Sequence, residues 1–258
     1  MPLNHLEKFR DLREKNAVLI KEAKEGGRKV VGIYCTYCPR EPVLAAGAIP
    51  VSLCGTREAP IAHAERELPR NLCPLIKSSY GFALTDTCPF FHFSDLVIGE
   101  TTCDGKKKMF ERLHRLKEVH VMNLPNSADT AASLTLWHGE MIRLKSRLEA
   151  FLRVSITEEK LREAIHLVNE EKRALKDLYD LNRRKPALLS GLDMMMASFQ
   201  AGFHVDRREV IRMIDGLVAE IRDAAAKGHI AGGEKTPRVL LTGTPIGMGS
   251  EKVIEIVE

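Results

Sequence analysis

The sequence predicts an α/β fold with a parallel sheet, and two observations support this. Short apolar runs alternate with helix-compatible segments through the first half of the chain, and the runs are apolar throughout, without polar alternation. Continuous apolar strands are typical of a parallel sheet that helices cover on both faces. The four predicted strands are Lys29–Tyr34, Ile49–Leu53, Asp95–Gly99 and Val119–Asn123.

A helix is predicted before the first strand. Residues 4–25 carry apolar side chains near helical spacing, and Gly26 with Gly27 ends the pattern. Shorter helical segments are predicted between the strands, at Glu41–Ala46, Leu75–Ala83 and Lys106–Leu116. Together these elements form a predicted α/β domain over residues 1–125.

The middle of the chain is predicted to be helical. Long helical patterns with few breakers fill residues 126–235, which we interpret as a helical connector. These patterns are Ala131–Val154, Glu158–Arg183, Ala187–Phe203 and Arg207–Ala226. Residues 236–258 return to the α/β pattern, with a strand predicted at Arg238–Gly243 and a helix from Ser250. We expect this last segment to be the first strand and helix of a second, truncated α/β domain.

Composition excludes several classes of protein. The chain has 258 residues, of which 44% are hydrophobic and 29% charged, which is an ordinary globular balance. It has no run of about 18 apolar residues that could span a membrane, and its polar N-terminus differs from a secretory signal. A cytoplasmic protein without a membrane partner is therefore expected. The net charge of +4, with both signs interspersed, and the aromatic content of 5% argue against a nucleic-acid partner.

The cysteines are clustered: all six lie between Cys35 and Cys103. A disulfide framework is typical of small secreted domains, which this chain does not resemble, so bound metal is the first candidate. Cys35, Cys54 and Cys103 follow three different predicted strands, and the carboxyl ends of parallel strands share one edge of a sheet. These thiols can therefore converge although they are distant in sequence.

Spacing alone leaves several interpretations of the cysteines open. Structural zinc typically takes two close ligand pairs, and only Cys35 with Cys38 is such a pair. A thioredoxin-type CxxC site would leave four cysteines without a role. Cysteines that act as small buried apolar residues would be scattered along the chain. An iron–sulfur site takes thiolates from separate loops, and the Cys-Pro pairs at Cys38, Cys73 and Cys88 also occur in ferredoxin cluster motifs.

The most specific part of the chain is the run AERELPRNLCPLIKSSYGFALTDTCPFFHFSDLVIGETTCDGKKKMFE. It is flanked upstream by GIYCTYCPREPVLAAGAIPVSLCGT and downstream by PRVLLTGTPIGMGSEKV. Together these segments closely resemble the 2-hydroxyacyl-CoA dehydratase / benzoyl-CoA reductase subunit family, and within it the branch called double-cubane cluster proteins. The resemblance covers essentially the whole chain.

The resemblance implies two Rossmann-like α/β domains with a helical element, and an iron–sulfur site between them. In the double-cubane branch, two cubanes joined by a bridging sulfide form an [8Fe-9S] cluster. The ligands that the resemblance implies here are Cys35, Cys54, Cys73, Cys88 and Cys103. In the dehydratase branch, Cys73 and Cys103 would hold a single [4Fe-4S] cluster together with a third cysteine from the second domain.

Partners are also implied by the resemblance: an ATP-hydrolysing iron–sulfur activator protein, a homodimeric arrangement, and a small-molecule substrate, with an acyl-CoA as one candidate. Cys38 falls where relatives commonly have another residue, and Thr244 where they often have cysteine. Because the family's second domain continues past residue 258, we expect at least one cluster ligand beyond this chain.

Three functions are compatible with these observations. The first is an iron–sulfur reductase that passes low-potential electrons from the activator to a small molecule. The second is a subunit of an (R)-2-hydroxyacyl-CoA dehydratase, and the third is a non-catalytic, truncated cluster-binding module. The additional residues Cys35, Cys54 and Cys88 favour the first.

Other polar residues have two interpretations each. The basic run 106–108 is either a solvated helix face or a docking surface for the activator or an anionic substrate. The polar run 78–80 is either ordinary helix surface or a source of hydrogen bonds to a cluster or substrate. His63 and His92 are expected to be structural, and the glycine loop at 243–249 matches no nucleotide-binding motif.

Overall fold

A computed structural model describes residues 3–34, 37–243, 246–247 and 249–258. Its strands are β1 (Val30–Tyr34), β2 (Ile49–Leu53), β3 (Leu96–Glu100) and β4 (Val119–Met122). Its helices are α1 (Asn4–Glu25), α2 (Glu41–Ala45), α3 (Ile61–Ala64), α4 (Pro74–Thr85), α5 (Pro89–Phe93), α6 (Asp104–Leu113), α7 (Ala131–Leu152), α8 (Glu158–Leu181), α9 (Gly191–Ala201), α10 (Arg207–Ala226) and α11 (Lys252–Val257). None of the helices in these ranges is long and apolar enough to cross a membrane.

The strands form one parallel sheet in the order β2-β1-β3-β4. The register pairs Val31 of β1 with Pro50 of β2 on one side and with Leu96 of β3 on the other, and Val97 of β3 with Val119 of β4. This confirms the predicted α/β class and parallel sheet. The chain leaves β1 in one direction to make β2 and then crosses to the other side to make β3. The carboxyl ends of β1 and β3 therefore form a topological switch point.

Helices cover both faces of the sheet because successive strand side chains point to opposite faces. Val31 and Ile33 pack in a cluster with Leu144 of α7. Tyr34 of the same strand belongs to a second cluster, which includes Phe110 of α6. Each face is therefore buried under its own helices, as the apolar strands predicted.

The described chain divides into two compact units: residues 19–165 contain the sheet, and residues 1–18 with 166–258 form the other unit. The second unit is built from helices around a core that includes Phe9 of α1, Leu178 of α8 and Ile214 of α10. Helices α1 and α8 each contribute to both units. These compact units do not test the predicted domain boundaries at residues 125 and 235, which stay a prediction.

The strand predicted at Arg238–Gly243 is not formed in the structure. Leu240 is 85% exposed, and the Arg238 guanidinium donates to the backbone oxygens of Arg184 and Asn182. A parallel strand needs a neighbour for its backbone hydrogen bonds, and the described residues pair no strand with this segment. The helix predicted after it does form, as α11.

Candidate functional site

Four of the five cysteines in the described residues directly follow a strand or begin a helix. Cys54 follows β2 directly, and Cys103 follows β3 by three residues. Cys73, Cys88 and Cys103 are the N-cap residues of α4, α5 and α6. Cys35, the first residue after β1, lies outside the described residues. The predicted convergence on one sheet edge therefore holds for the backbone positions of Cys54 and Cys103.

The described cysteines fall into three classes of exposure. The thiols of Cys54, Cys73 and Cys103 reach solvent, Cys88 is half-buried, and Cys38 is buried; all five are free. Cys38 packs in the apolar cluster against the sheet. Burial first, and then the negative charge of Glu100, raise the pKa of the Cys38 thiol well above its usual range. The Cys38 thiol is thus the least accessible of the five to an external partner.

Helix starts favour a thiolate, because the first backbone N–H groups of a helix point at the N-cap residue. Around Cys88, burial raises the pKa of the thiol, while the N–H groups of Phe91 and Phe90 act in the opposite direction. The side chains of Cys73 and Cys103 make no capping hydrogen bond. Both thiols are therefore available to an external partner.

Cys88 packs against the apolar cluster that contains the buried Tyr34, and Cys54 directly follows Leu53 of the same cluster. The pKa of Tyr34 is raised by burial and, after that, by negative charge at Cys88 and at Cys54. The Tyr34 side chain packs with the helices on that face and is 4% exposed. Desolvation also raises the pKa of Cys54, although its thiol reaches solvent. The apolar cluster that contains the Tyr34 phenol therefore lies beside the segments that carry Cys54 and Cys88.

The loop that carries Cys54 is fastened to α4, the helix that begins at Cys73. The Gly55 N–H donates to Ser79 Oγ at 2.9 Å, and Ser78 Oγ donates to the Arg57 backbone oxygen at 2.6 Å. The two segments touch so closely that a Cβ on Gly55 would lie 2.3 Å from the Ser79 backbone nitrogen.

These contacts change the expectation for residues 78–80. Their side chains serve the protein itself, since Tyr80 Oη donates to Glu67 Oε2 at 2.7 Å and all three residues are buried. The structure therefore favours a role in holding the cysteine loops over direct contact with a cluster or substrate.

Two further residues, which the sequence analysis missed, hold segments at the two ends of the strands: Lys117 at the amino edge, before β4, and Glu100 at the carboxyl edge, at the end of β3. Lys117 Nζ donates to the backbone oxygens of Phe91, His92 and Ser94 at 2.7, 2.8 and 2.8 Å, and so fixes the end of α5, which Cys88 begins. Glu100 at the end of β3 is fully buried, and its Oε1 accepts the Tyr37 N–H at 3.0 Å. Glu100 could have been recognised in the sequence, because it is a carboxylate at the end of an apolar strand. Nothing in the sequence distinguishes Lys117.

The remaining polar candidates have local partners. Lys107 pairs with Asp104 at 3.2 Å and Lys108 pairs with Glu111, so part of the basic run is neutralised on its own helix. His92 Nδ1 lies 2.8 Å from Asp86 Oδ2 in an exposed pair. This contact agrees with the structural role expected for His92.

The described thiols do not form a ready metal site. Among the residues that the structure describes, no group of three or more His, Cys, Asp or Glu side chains is arranged to hold a metal ion. The donor chemistry nevertheless fits an iron–sulfur group, because free thiols at separate loops of one sheet edge are the ligands such clusters take.

A cavity of about 920 Å³ lies at the same edge of the sheet. Its walls come from the segments after β1, β3 and β4 and from the first turns of α7. Thr102, one of its lining residues, directly precedes Cys103. An opening at the carboxyl edge is therefore adjacent in sequence to a candidate ligand.

Comparison with known proteins gives the class to which this fold and site belong. Residues 35–258 match the family described as "2-hydroxyglutaryl-CoA dehydratase, D-component". The chain belongs to this 2-hydroxyacyl-CoA dehydratase family, as the resemblance in its cysteine-rich segments implies.

Three relatives illustrate the family. The chain is 47% identical over 252 residues to the "putative dehydratase subunit YjiM" of Escherichia coli K12, an alignment that covers 98% of this chain and 65% of the relative. It is 25% identical over 212 residues to a benzoyl-CoA reductase subunit of Thauera aromatica, over 80% of this chain and 54% of that one. It is 24% identical over 254 residues to the "(R)-phenyllactyl-CoA dehydratase beta subunit" of Clostridium sporogenes, over 97% and 65%. The chain thus spans 54% to 65% of the length of these relatives.

Proposed function

We propose that this chain is the cluster-binding part of an iron–sulfur reductase of the 2-hydroxyacyl-CoA dehydratase family. In this proposal a double-cubane [8Fe-9S] cluster is held by Cys35, Cys54, Cys73, Cys88 and Cys103. It passes low-potential electrons from an ATP-hydrolysing activator protein to a small molecule. The observation that carries the proposal is the position of four free thiols: Cys54 and Cys103 follow strands at the carboxyl edge of the sheet, and Cys73 and Cys88 begin helices.

The number of available thiols supports the double cubane over a smaller cluster. Cys88 packs against the apolar cluster that contains Leu53, and Leu53 directly precedes Cys54, so the two thiols belong to one region of the fold although they are distant in sequence. A dehydratase with one [4Fe-4S] cluster would need only Cys73 and Cys103 from this region. It would leave Cys54 and Cys88 without a role.

The dehydratase alternative has its own support. Cys73 and Cys103 are the exposed N-cap residues of the two longer helices at this edge, α4 and α6. Two of the relatives are also named as dehydratase subunits. A non-catalytic cluster-binding module is the third candidate, because the chain spans only 54% to 65% of the length of the three relatives.

The residues described above have separate roles in the proposed enzyme. The bound cluster would supply one-electron chemistry at iron. The thiolates would hold it, Tyr34 and the apolar side chains around it would exclude water from one side, and Lys117 would hold α5 in place. The bonds from Ser78 and from Gly55 keep the Cys54 loop against α4. Low solvent access and fixed ligand geometry are the means by which a protein tunes such a group.

The proposed partners follow from the same assignment. The activator supplies electrons, so ATP is the fuel of the partner and not a ligand of this chain. A homodimer, a cytoplasmic location and a small-molecule substrate, with an acyl-CoA as one candidate, complete the proposal. The names of the relatives include acyl-CoA reductase and dehydratase subunits.

Iron and sulfide content tests the proposal directly. The protein is reconstituted without oxygen, and iron, acid-labile sulfide and zinc are measured per chain. About eight irons per chain support the double cubane, and about four support the single-cluster dehydratase. Zinc without sulfide would contradict both.

A pair of cysteine variants sharpens this test. Cys88→Ser should reduce the iron content by about half or more if Cys88 is a double-cubane ligand. Cys38→Ser is the matched control, because Cys38 is also followed by proline but is buried away from solvent. Equal iron in Cys88→Ser and the unmodified chain would rule out the double cubane.

A further inference from the structure

The cavity of about 920 Å³ is placed where open α/β sheets bind ligands. Tyr37 in its wall follows β1, and Thr101 follows β3, so the cavity opens at the switch point between these two neighbouring strands. Its volume lies in the range of pockets for small organic molecules, which is about 300–1,000 Å³. Position and size together favour a ligand site over a packing defect.

The walls of the cavity are polar but uncharged. None of the described residues that line it is an acid, a lysine, an arginine or a histidine. Thr101, Asn126 and Ser127 supply hydroxyl and amide groups on one side. The Thr101 hydroxyl oxygen accepts the Leu124 N–H at 2.9 Å, which leaves its proton to be donated elsewhere.

Aromatic and apolar side chains form the rest of the wall. Leu134 and Trp137 lie three residues apart on α7 and so share one face of the helix. Leu134 is 66% exposed and Tyr37 is 60% exposed, so both side chains present apolar surface to solvent at this cavity. Trp137 is the single tryptophan of the chain. This surface can cover the apolar face of a bound molecule.

We propose that this cavity binds an uncharged organic molecule that has an apolar or aromatic face and amide or hydroxyl groups, and that it excludes anions. A carboxylate or phosphate held here would lose water without gaining a cationic partner, which is unfavourable. The described lining therefore contains no group that would select a free acid or the phosphates of a nucleotide.

The cavity lies next in sequence to one proposed cluster ligand. Thr102 lines it and Cys103 is the next residue, at the start of α6. That the bound molecule is the electron acceptor rests on the proposed function and applies to an acceptor other than an acyl-CoA, whose phosphates this lining would exclude. The binding itself does not rest on the proposed function. Binding is therefore tested on protein without iron, so that failure to load a cluster does not affect the result.

Trp137 provides the measurement. N-benzoylglycinamide and lactamide are titrated into the intact chain while its tryptophan fluorescence is followed, and the corresponding acids, N-benzoylglycine and lactate, are titrated in parallel. A free tryptophan derivative in the same buffer controls for absorption by the probes. At least one neutral amide should change the fluorescence in a saturable way, and its acid should bind at least about tenfold more weakly.

A charge variant tests the cause of this preference. Asn126 is exposed, so Asn126→Arg adds a cation to the wall without disturbing the core. It should raise affinity for N-benzoylglycine at least about tenfold, whereas Ser155→Arg, in the exposed loop after α7, should not. The proposal is wrong if neither amide alters the fluorescence, if acids bind as well as amides, or if both arginine variants behave alike.

Discussion

The backbone N–H of Gly55 donates to the hydroxyl of Ser79 at 2.9 Å, and this bond joins the loop of one candidate ligand to the helix of another. Cys54 immediately precedes Gly55, and α4, which contains Ser79, begins at Cys73. The distance between these two cysteines is therefore set by a contact that leaves no room for a side chain at residue 55.

Gly55→Ala should destabilise the protein. The new Cβ would lie 2.3 Å from the Ser79 backbone nitrogen, and backbone atoms cannot move aside as a flexible side chain can. We expect a loss of about 1–3 kcal/mol or more in the free energy of unfolding, measured by urea titration. The matched control is Gly139→Ala within α7, where a Cβ meets nothing within 4 Å. It should raise stability by about 0.5–1 kcal/mol. Equal effects of the two substitutions would contradict the close contact.

Lys117→Met should loosen α5 and with it Cys88. The substitution removes three hydrogen bonds to backbone oxygens and the contact of the ammonium with the Phe91 ring, 4.9 Å from its centre. We expect a loss of about 1–3 kcal/mol in unfolding free energy together with lower iron content after reconstitution. Lys15→Met, which removes an exposed pair with Asp11, should change stability by less than about 1 kcal/mol. Unaltered stability and iron content in Lys117→Met would show that Lys117 does not hold this segment.

His120 should make stability depend on pH. Burial, and then the positive charge of Arg143, lower the pKa of His120 below its usual value of 6.5. Below pH 6.5 the unfolded chain binds a proton at His120 more readily than the folded chain does. The free energy of unfolding therefore falls as the pH drops from 6.5 towards the lower pKa that His120 has in the folded chain. His120→Gln should reduce the slope between pH 7 and pH 5 by up to about 1.4 kcal/mol per pH unit.

The slope should not vanish in that variant, because burial also lowers the pKa of His204. Urea titrations at a series of pH values measure the difference. A slope identical to that of the unmodified chain would contradict the assignment to His120.

Arg207→Met should strongly destabilise the helical unit. Arg207 Nη1 lies 3.4 Å from Glu171 Oε1, and each side chain is only 2% exposed. Removing one partner of a buried ion pair costs about 3–5 kcal/mol, because the remaining buried charge loses part of its stabilisation. Arg162→Met, whose partner Glu158 lies at the surface, should change stability by less than about 1 kcal/mol. Thermal unfolding of the two variants should therefore differ by many degrees, and similar melting temperatures would contradict the prediction.

The sheet was predictable because its strands are apolar on both faces. Ile49–Leu53 was predicted with the bounds that β2 has in the structure. The same signal failed at Arg238–Gly243, where an equally apolar run is exposed. An apolar pattern indicates that a segment can be buried in a sheet, but a strand also needs a neighbour, and the local sequence carries no information about one.

The sequence predicted where the candidate site lies in the fold, but it did not predict the hydrogen bonds that hold its segments together. The cysteines that follow strands reveal the sheet edge, because strand ends can be inferred from apolar runs. The bonds of Ser79 to Gly55 and of Lys117 to Phe91 join segments that are 24 and 26 residues apart. Such contacts depend on helix orientation, which spacing along one chain does not determine.

The N-cap positions of Cys73 and Cys103 have a consequence for local opening of the protein. Neither side chain caps its helix, so the amide protons in the first turns of α4 and α6 lack the protection that a serine or aspartate would give them. These turns should therefore exchange hydrogen with solvent faster than the turns that follow. A group bound to the two thiolates would slow this exchange. The exchange rates of the backbone amides in the first turns of α4 and α6 would then report whether the site is occupied.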